Sequence, residues 1–376
     1  MVSKKSKKRS FFQWVLIILT ILSVLCLLLS YTAFFVSPAK VWFLAFFGLA
    51  YPLILAVNLL FVLLWLILRK KYIWIPLIPI LIGFSHILSI IEIRSNDTPP
   101  VSGSLKVLSY NIHGHSEYYK KPSSNGNFSA VIDFLSEEQP DILCLQEFYS
   151  NTKDSTDVFR QVSERINMKY FHYKKYYNSK NKRKIDALVI FSKYPILRTG
   201  FYLDDRKTTI AIYVDISVDD EIVRVFNVHL ESFQFGEDDY TFYSNLKEAE
   251  TDKTPLKEGT RKIMMKLRKA YELRAKQVDI LRAGIKTSPY PLLLCGDLND
   301  TPSSYTYQVL SRGVQDSFKK AGNGLIGNTY RGNLPSFRID YILFDKKFEA
   351  YNYEKINSSL SDHYPISVFI NIHPAR

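Results

Sequence analysis

The chain has 376 residues, of which 47% are hydrophobic and 23% charged, and its formal net charge is +13. This length exceeds what one ordinary hydrophobic core needs, so we expect more than one domain. Ten of the 49 Lys/Arg and one of the 36 acids lie before Ser95, which leaves 39 basic and 35 acidic residues for the remainder. The charge excess therefore belongs to the N-terminal quarter, which excludes reading it as a nucleic-acid footprint of a soluble domain.

Three long uncharged runs occupy this N-terminal quarter. They extend over about 11–36, 41–68 and 72–91, and each has the roughly 20 residues that a helix needs to cross a hydrocarbon core. A cleaved signal peptide explains the first run less well, because the run is about twice the usual apolar length and no small-x-small site follows it. We therefore predict a membrane anchor of three transmembrane helices over residues 1–94.

Basic residues flank these runs unevenly. Five Lys/Arg precede the first run and three, Arg69–Lys71, separate the second from the third, whereas Lys40 is the one basic residue between the first and second. The positive-inside rule then predicts a cytoplasmic N-terminus. After three crossings, everything beyond Arg94 is expected to be extracytoplasmic, which means periplasmic, extracellular or lumenal. Asn58 and His86, within the runs, are better explained by hydrogen bonds to neighbouring helices than by a transport path.

A change in composition follows the last run. Residues 95–104, SNDTPPVSGS, are rich in Pro, Ser and Gly and predict a linker. Strand-length runs rich in Val, Ile, Tyr and Phe then alternate with helical stretches, which predicts an α/β layered domain over 105–376. The predicted strands are 105–110, 141–146, 187–191, 208–218, 222–230, 292–295, 339–344 and 366–370, and the predicted helices are 128–138, 158–168 and 261–286.

Polar side chains stand at the ends of these predicted strands, where loops converge on ligands in layered α/β domains. Any one alone is equally well explained as a turn residue or a helix cap. Four carboxylates on one rim repel one another unless a divalent cation or a cationic His neutralises them. Oxygen ligands without Cys suit Mg²⁺, with Mn²⁺ as the alternative, and argue against Zn²⁺. The residues are Asn111, Glu147, His229, Asp297, Asn299, Asp340, Asp362 and His363.

Six short motifs occur in a fixed order through this domain: SYNIHG, CLQE, NVHLES, GDLND, RIDYIL and SDHYP. The series extends over essentially all of 105–372 and resembles the endonuclease/exonuclease/phosphatase superfamily. That superfamily comprises metal-dependent phosphoesterases, among them deoxyribonuclease-like and abasic-site nucleases, inositol-phosphate phosphatases and neutral sphingomyelinases. The resemblance implies an α/β fold of four layers, with two β-sheets flanked by helices, here preceded by the three transmembrane helices.

The resemblance also implies roles for the residues around a metal and a water. Glu147 would be the main carboxylate ligand of the metal, and Asn111 would hold a second position near it. Asp362 would contact the metal or its water shell. Asp297 would orient and deprotonate the attacking water, supported by Asn299, which also contacts the phosphate.

The remaining roles concern the scissile phosphate and the leaving group. His363 would bind the phosphate and stabilise its developing charge, with Asp340 fixing its tautomer. His229 would protonate or hydrogen-bond the leaving oxygen. The family sometimes places an acid beside that His, and Asp186 is a weaker candidate for it, since an exposed Asp at a strand end is an equally good explanation.

Other basic residues near these motifs have simpler explanations. His113 and His115 follow the first strand of the domain, and a His in a loop more often faces solvent than a ligand. The run KNKRK at 180–184 could meet a phosphate, but a solvated hairpin tip is the favoured interpretation.

The sequence thus predicts a membrane-anchored, Mg²⁺-dependent phosphoesterase that acts on a lipid head group or another small phosphate ester. A nuclease acting on DNA or RNA is the alternative within the enzyme class. It would need a basic groove with stacking aromatics, and 39 basic against 35 acidic residues provide no strong polyanion field. A non-catalytic binding or scaffold module is the alternative of another class. The complete set of acids, amides and histidines disfavours it.

Overall fold

The computed structural model describes residues 11–92, 98–113, 125–150, 155–176, 185–236, 238–239, 241–242, 253–324, 326–332 and 335–373. The chain divides into two compact units. A helical unit comprises Met1–Ile90 with Ser303–Tyr305. An α/β unit, called here the catalytic unit after the catalytic domain predicted from the sequence, comprises Ile91–Pro302 with Thr306–Arg376.

The helical unit contains one helix, α1, that is by itself long and apolar enough to cross a membrane among the residues described. A second crossing is available if a broken pair, bent by 60° between Ile82 and Phe84, forms one span. The helices are α1 (Phe11–Ala33), α2 (Leu44–Leu49), α3 (Tyr51–Ile67), a 3₁₀ turn (Lys71–Ile73), α4 (Trp74–Ile82) and α5 (Phe84–Ile90).

The prediction of three continuous transmembrane helices is therefore wrong. The second predicted span is divided between α2 and α3, because Pro52 lies in the first turn of α3, where proline starts a helix more readily than it continues one. The 17 residues of α3 fall short of the roughly 20 that cross a bilayer. The third span bends after α4, which contains Pro79.

The helical unit buries several polar groups beside an apolar cluster, and many of its large apolar side chains face outward. The amide of Asn58 is fully buried and donates to the carbonyl of Ser23 at 3.1 Å. The indole of Trp65 donates to the hydroxyl of Thr20 at 3.0 Å. A water-soluble domain has the opposite distribution, whereas helices in an apolar medium pack in this way. The outward side chains include Phe11, Leu53, Leu60, Ile67 and Ile82, each more than 60% exposed.

The catalytic unit contains two six-stranded sheets, which confirms the prediction of two β-sheets flanked by helices. Sheet A has the order β11-β12-β1-β2-β4-β3 and sheet B the order β5-β6-β7-β8-β10-β9. The β1–β2 and β7–β8 pairs are parallel. The strands are β1 (Leu105–Asn111), β2 (Ile142–Ser150), β3 (Tyr170–Lys175), β4 (Ile185–Ser192), β5 (Ile196–Leu203), β6 (Thr209–Val218), β7 (Glu221–His229), β8 (Leu292–Asp297), β9 (Val314–Asp316), β10 (Asp340–Asp345), β11 (Glu349–Lys355) and β12 (Ile366–Asn371).

Aliphatic side chains of both sheets form the central core. Val107 and Ile142 of sheet A belong to one buried cluster with Val225, Leu293 and Ile342 of sheet B. Because alternate residues of a strand point to opposite faces, the other side of sheet A is left to be covered by helices. The helices are α6 (Asn125–Glu138), α7 (Ser155–Arg165), α8 (Lys253–Lys286), α9 (Tyr305–Leu310) and α10 (Ser317–Ala321).

Two of these helices cover sheet A. Val131 and Leu135 of α6 and Phe159 of α7 form a second buried cluster with Leu143 of β2. This layer completes a helix-sheet-sheet arrangement. Strand ends are where polar residues can gather without disturbing either core.

Candidate active site

Three of the predicted site residues lie side by side in sheet B. His229 ends β7, Asp297 ends β8 and Asp340 begins β10. In the strand register His229 is paired directly with Asp297, and Asp297 directly with Asp340. Directly paired residues share one face of a sheet, so the fold brings these three side chains together.

A glycine makes the close approach of β7 and β8 possible beside this row. Gly296 has a φ of +138°, a conformation that side-chain-bearing residues rarely adopt. A Cβ at this position would lie 1.9 Å from the carbonyl oxygen of Val228. Any other residue would separate the two strands immediately before His229 and Asp297.

Asn111 links the two sheets at the site. It ends β1, and its amide nitrogen donates to Asp297 at 3.0 Å and to Glu147 at 3.2 Å. Its amide oxygen accepts from the backbone N–H of His113 at 3.0 Å. One side chain of sheet A thus orients a carboxylate from each sheet.

Glu147 lies at an irregularity of β2. The β2–β4 register shifts between Leu145 and Phe148, and Glu147 has a φ of +53°. Its backbone N–H donates to the Tyr176 hydroxyl at 3.0 Å. Left-handed backbone at a residue other than glycine is uncommon and concentrates at functional sites, and Asn299 and His113 share it here.

A buried amide network holds this irregularity in place. Gln146 and Asn227 are fully buried, and the amide of Gln146 donates to the amide oxygen of Asn227 at 2.7 Å. Asn227 in turn donates to the carbonyls of Leu145 and Val189, each at 2.8 Å. Because Gln146 precedes Glu147 and Asn227 precedes His229 by two residues, the network fixes these two site residues relative to each other.

The Glu147 carboxylate is surrounded by hydrogen-bond donors and imidazoles. Its oxygens lie 3.4 Å from Nε2 of His229 and 3.6 Å from Nδ1 of His113. Burial raises the pKa of Glu147, but His229, His113 and the Asn111 amide outweigh burial and lower it below the ordinary value. Glu147 is therefore an anion at neutral pH.

Asp340 and His363 form a buried pair. Nδ1 of His363 lies 2.9 Å and 3.2 Å from the two carboxylate oxygens of Asp340, and Nε2 lies 3.8 Å from Asp297. Burial disfavours the cation, but Asp340 and Asp297 overcome burial and raise the pKa of His363 to about 10. His363 is therefore a cation at neutral pH, and its second nitrogen, Nε2, faces Asp297.

Asp297 is the most deeply placed carboxylate of the site, with 1% of its surface exposed. Burial and the neighbouring Asp340 raise its pKa to about 6, against the opposing effects of His363 and His229. The backbone N–H of Asn299 donates to it at 2.7 Å. The Asn299 amide also donates to the Leu230 carbonyl at 3.0 Å, which ties the loops after β7 and β8 together.

His229 is held by a tyrosine. Its Nδ1 lies 2.8 Å from the hydroxyl of Tyr176, and its Nε2 lies 3.8 Å from Asp297. Asp186, the weaker candidate for an acid beside this His, lines a cavity of about 300 Å³ together with His229, Tyr176 and Glu147. The described hydrogen-bond partner of Nδ1 is Tyr176, and the placing of Asp186 beside this imidazole stays a prediction.

Asp362 and Glu147 face the same imidazole. Nδ1 of His113 lies 3.5 Å from Asp362 and 3.6 Å from Glu147. A positively polarised group between two carboxylates occupies the environment that a divalent cation prefers. Within the described residues, Asp297, Asp340 and His363 also offer possible ligand atoms within 4.8 Å of one another. In this group of Asp297, Asp340 and His363, Nδ1 of His363 is already hydrogen-bonded to Asp340.

Two residues of the site carry little signal in the sequence. His113 was expected to face solvent, yet it contacts two carboxylates, and its only signal was its place just after Asn111. Tyr176 was not singled out, and it bonds both His229 and the backbone of Glu147. Polar residues inside apolar strands, Gln146 and Asn227, were a further signal that could have been used. His115 and 180–184 lie outside the described residues.

The chain was compared with known proteins. The model of the endonuclease/exonuclease/phosphatase family matches residues 108–363, and a family described as a domain of unknown function matches residues 12–90. No curated protein matches the chain.

Solved structures similar to this chain include an endonuclease/exonuclease/phosphatase family protein from Leptotrichia buccalis, with 16% identity and a TM-score of 0.51 over 71% of this chain and 99% of the other. A family protein from Bacteroides thetaiotaomicron has 18% identity and a TM-score of 0.50 over 73% of this chain and 98% of the other. These similarities show the fold, and the family model extends over more than half of the sequence. The chain therefore belongs to the endonuclease/exonuclease/phosphatase family.

Proposed function

We propose that this protein is a membrane-anchored, metal-dependent phosphoesterase that hydrolyses a phosphate ester by in-line attack of water. One observation carries the proposal: the buried carboxylate of Asp297 lies 3.8 Å from an imidazole nitrogen of His363 and also 3.8 Å from one of His229. A base between two imidazoles provides a proton acceptor, a phosphate-binding cation and a proton donor in one site.

Asp297 is the proposed base. A pKa of about 6 keeps it ionised at neutral pH and makes it a stronger base than an ordinary carboxylate. Asn299 fixes its orientation through the 2.7 Å backbone hydrogen bond, and its side-chain amide is the proposed contact to the phosphate. His363 binds the phosphate as a cation, and Asp340 positions it through Nδ1.

Glu147 and Asp362 are the proposed carboxylate ligands of a divalent cation, with Asn111 beside them. The donor set fits Mg²⁺, with Mn²⁺ as the alternative, because the proposed ligand atoms are oxygens. Nδ1 of His113 lies between the two carboxylates, in the place where a cation would be attracted to both. Asn111 would have to turn its amide oxygen toward the ion. When bound, the cation supplies charge neutralisation at the phosphate oxygens.

His229 is the proposed donor to the leaving oxygen. Tyr176 bonds its Nδ1, so Nε2 is the nitrogen directed at Asp297 and the metal ligands. Holding one imidazole nitrogen is the usual way to fix which nitrogen reacts. Asp186 lines the same cavity as this imidazole.

We propose a lipid head group or another small phosphate ester as the substrate. The cavity beside His229 is about 300 Å³ in volume and is lined by three carboxylates, Glu147, Asp186 and Glu231, together with Tyr176 and neutral side chains. Its described lining contains no Lys or Arg, whereas a groove for DNA or RNA is expected to be basic. Nuclease activity stays the alternative. A non-catalytic scaffold role would not explain why the pKa of Asp297 is raised.

A substrate panel tests this function. Purified full-length protein is assayed with Mg²⁺, with Mn²⁺ and with chelator on sphingomyelin, phosphatidylinositol phosphates, single-stranded and supercoiled DNA and bis-nitrophenyl phosphate. We expect metal-dependent release of product from a head-group ester. Preferential cleavage of DNA would replace this proposal by the nuclease, and turnover that survives chelation would contradict the metal.

The location of the catalytic unit is also a proposal. The helical unit buries polar groups such as the Asn58 amide and exposes many large apolar side chains, which supports a position within a membrane with α1 crossing it. The basic residues before α1 and at Arg69–Lys71 favour the cytoplasmic side for both. We propose that α2 and α3 together make a broken return crossing, that the bent α4–α5 pair makes the next one, and that the catalytic unit lies outside the cytoplasm.

Reporter fusions test this topology. A reporter fused after Ile372 should be active only if its enzyme works outside the cytoplasm, and a reporter inserted at Arg69–Lys71 only if its enzyme works inside, because the positive-inside rule orients the intervening helices. Enzyme activity of each fusion in cells provides the measurement. A cytoplasmic signal at both positions would place the catalytic unit in the cytoplasm, where its substrates would be cytosolic.

The pKa values predict how Asp340 shapes the pH profile. Activity should rise with pH through about 6 as Asp297 ionises and fall near 10 as His363 loses its proton. Asp340→Asn removes a negative charge that raises both pKa values, so both limbs of log kcat/KM should move to lower pH. The measurement is the pH profile of the variant beside that of Asp345→Asn, which changes a carboxylate at the other end of β10. Stationary limbs would mean that Asp340 does not set either titration.

A further inference from the structure

An exposed face near the start of α8 carries two methionines. Met264 and Met265 are 45% and 61% exposed, whereas from Ala270 onward the helix has regularly spaced buried residues. Methionine is a flexible apolar side chain that gains free energy on leaving water. The first part of α8 therefore presents an apolar surface that the described part of the catalytic unit does not cover.

Basic residues surround these methionines on the same side of the helix. Residues three, four, seven and eight apart lie on one helical face, so Arg261, Met264, Met265, Arg268 and Lys269 form a single surface, called here the methionine face. Its three cationic side chains are exposed. Arg268 is also bonded to Glu272 at 2.8 Å.

The opposite side of the same helical segment is attached to the active-site rim. Lys266 pairs with Asp239 and donates to the Gln234 carbonyl at 3.1 Å. About two turns further on, Arg274 donates to the Glu231 carbonyl at 2.7 Å. Glu231 and Gln234 line the cavity beside His229, so the methionine face and the cavity belong to one connected piece of structure.

We propose that the methionine face docks on the anionic surface of the bilayer that anchors the chain. Cations around exposed apolar side chains fit a membrane interface, where phosphate groups meet the cations and the methionines enter the acyl boundary. Nucleic acid would attract the cations, but its phosphate backbone would not bury two methionine side chains. The inference rests on the proposed membrane anchoring and is independent of the proposed chemistry.

Docking would bring the mouth of the cavity to the head groups. Anchoring by α1 already confines the catalytic unit near a bilayer, so even weak contacts are effective. Each Lys or Arg near an anionic surface contributes about fivefold to partitioning, so Arg261 and Lys269 contribute roughly 25-fold, and the contribution of Arg268 is offset by its pairing with Glu272. The contact should be lost at high ionic strength.

Fluorescence in reconstituted vesicles tests the docking. A polarity-sensitive dye is attached to Thr260→Cys, one turn before Met264, in full-length protein carrying Cys26→Ser, since Cys144 and Cys295 are fully buried. The protein is reconstituted in phosphatidylcholine alone or in an equal mixture with phosphatidylglycerol. We expect a blue shift and quenching by spin-labelled lipid in the mixture, with most of the quenching lost at high salt and in phosphatidylcholine alone.

Two double variants separate the contributions of charge and apolar contact. Arg261→Glu with Lys269→Glu should abolish the quenching, and Met264→Ser with Met265→Ser should remove the blue shift. Lys346→Glu with Lys347→Glu, which changes an exposed pair at the β10–β11 turn, should alter neither. A dye at Glu349→Cys should stay unquenched in both vesicles.

Several outcomes would overturn the docking. Equal quenching in both vesicles would show contact without charge selection, and absence of quenching in both would show no contact. A shift produced by duplex DNA but not by phosphatidylglycerol would assign the face to nucleic acid. The inactive Glu147→Gln protein should dock like the unaltered chain, so a failure of the proposed chemistry leaves this test intact.

Discussion

Asp297→Asn and His363→Ala are each expected to reduce turnover by about a thousandfold or more. Asparagine retains the shape of Asp297 and its hydrogen bond from Asn299, but it cannot accept the proton of the attacking water. Alanine removes a buried cation that would stabilise negative charge developing on the phosphate. Both losses act on the reacting groups, so they should appear in kcat as well as in kcat/KM.

Steady-state kinetics with the substrate found by the panel provide the measurement. Asp205→Asn and His373→Ala change an exposed carboxylate and an exposed imidazole and serve as matched controls. The thermal unfolding of each variant is recorded, because Asp297 and His363 are buried and their loss could alter folding. A folded His363→Ala protein with near-normal kcat would remove His363 from the phosphate site.

Glu147→Gln is expected to abolish Mg²⁺-dependent activity at limiting Mg²⁺ while leaving the fold intact. Glutamine is close to isosteric with glutamate, but it replaces an anionic ligand by a neutral one, which weakens a hard-cation site strongly. The pKa of Glu147 lies below its ordinary value, so the unaltered chain presents the anion throughout the neutral range. Excess Mg²⁺ or Mn²⁺ should restore part of the activity.

Metal titrations of activity check this expectation. Glu354→Gln, at an exposed position of β11, is the control for the same chemical change. Unaltered turnover of Glu147→Gln at limiting Mg²⁺ would sink the assignment of Glu147 as a metal ligand. If the metal instead lies at Asp297, Asp340 and His363, loss of Glu147 should leave the apparent metal affinity unchanged.

The gathering of the site residues could be predicted because strand ends are recognisable in sequence. Asn111, His229, Asp297 and Asp340 each begin or end an apolar run, and the sheets place those ends together. Tyr176 and His113 could not be found in this way. Tyr176 contacts the site because β3 is an edge strand whose end meets the irregularity at Glu147, and His113 because its backbone turns to a φ of +45°. Such local geometry leaves little trace in an apolar pattern.

In the helical unit the apolar pattern is clear, but it does not show where the helices are interrupted. Hydropathy reports how apolar a run is, so all three runs gave a strong signal. It does not report where the helix is interrupted, and Pro52 and the bend after α4 decide that. Asn58 was correctly expected to bond a neighbouring helix, since a buried amide in an apolar medium has few other partners.

Because His229 is paired directly with Asp297, and Asp297 with Asp340, the three side chains are either aligned together or not aligned at all. Strands shift by whole residues, and a shift of one residue turns a side chain to the other face of the sheet. No partly aligned arrangement lies between the aligned row and a broken one. In a urea titration, loss of activity and loss of strand circular dichroism should therefore coincide, without a range of concentrations in which an intact sheet has gradually weakening catalysis.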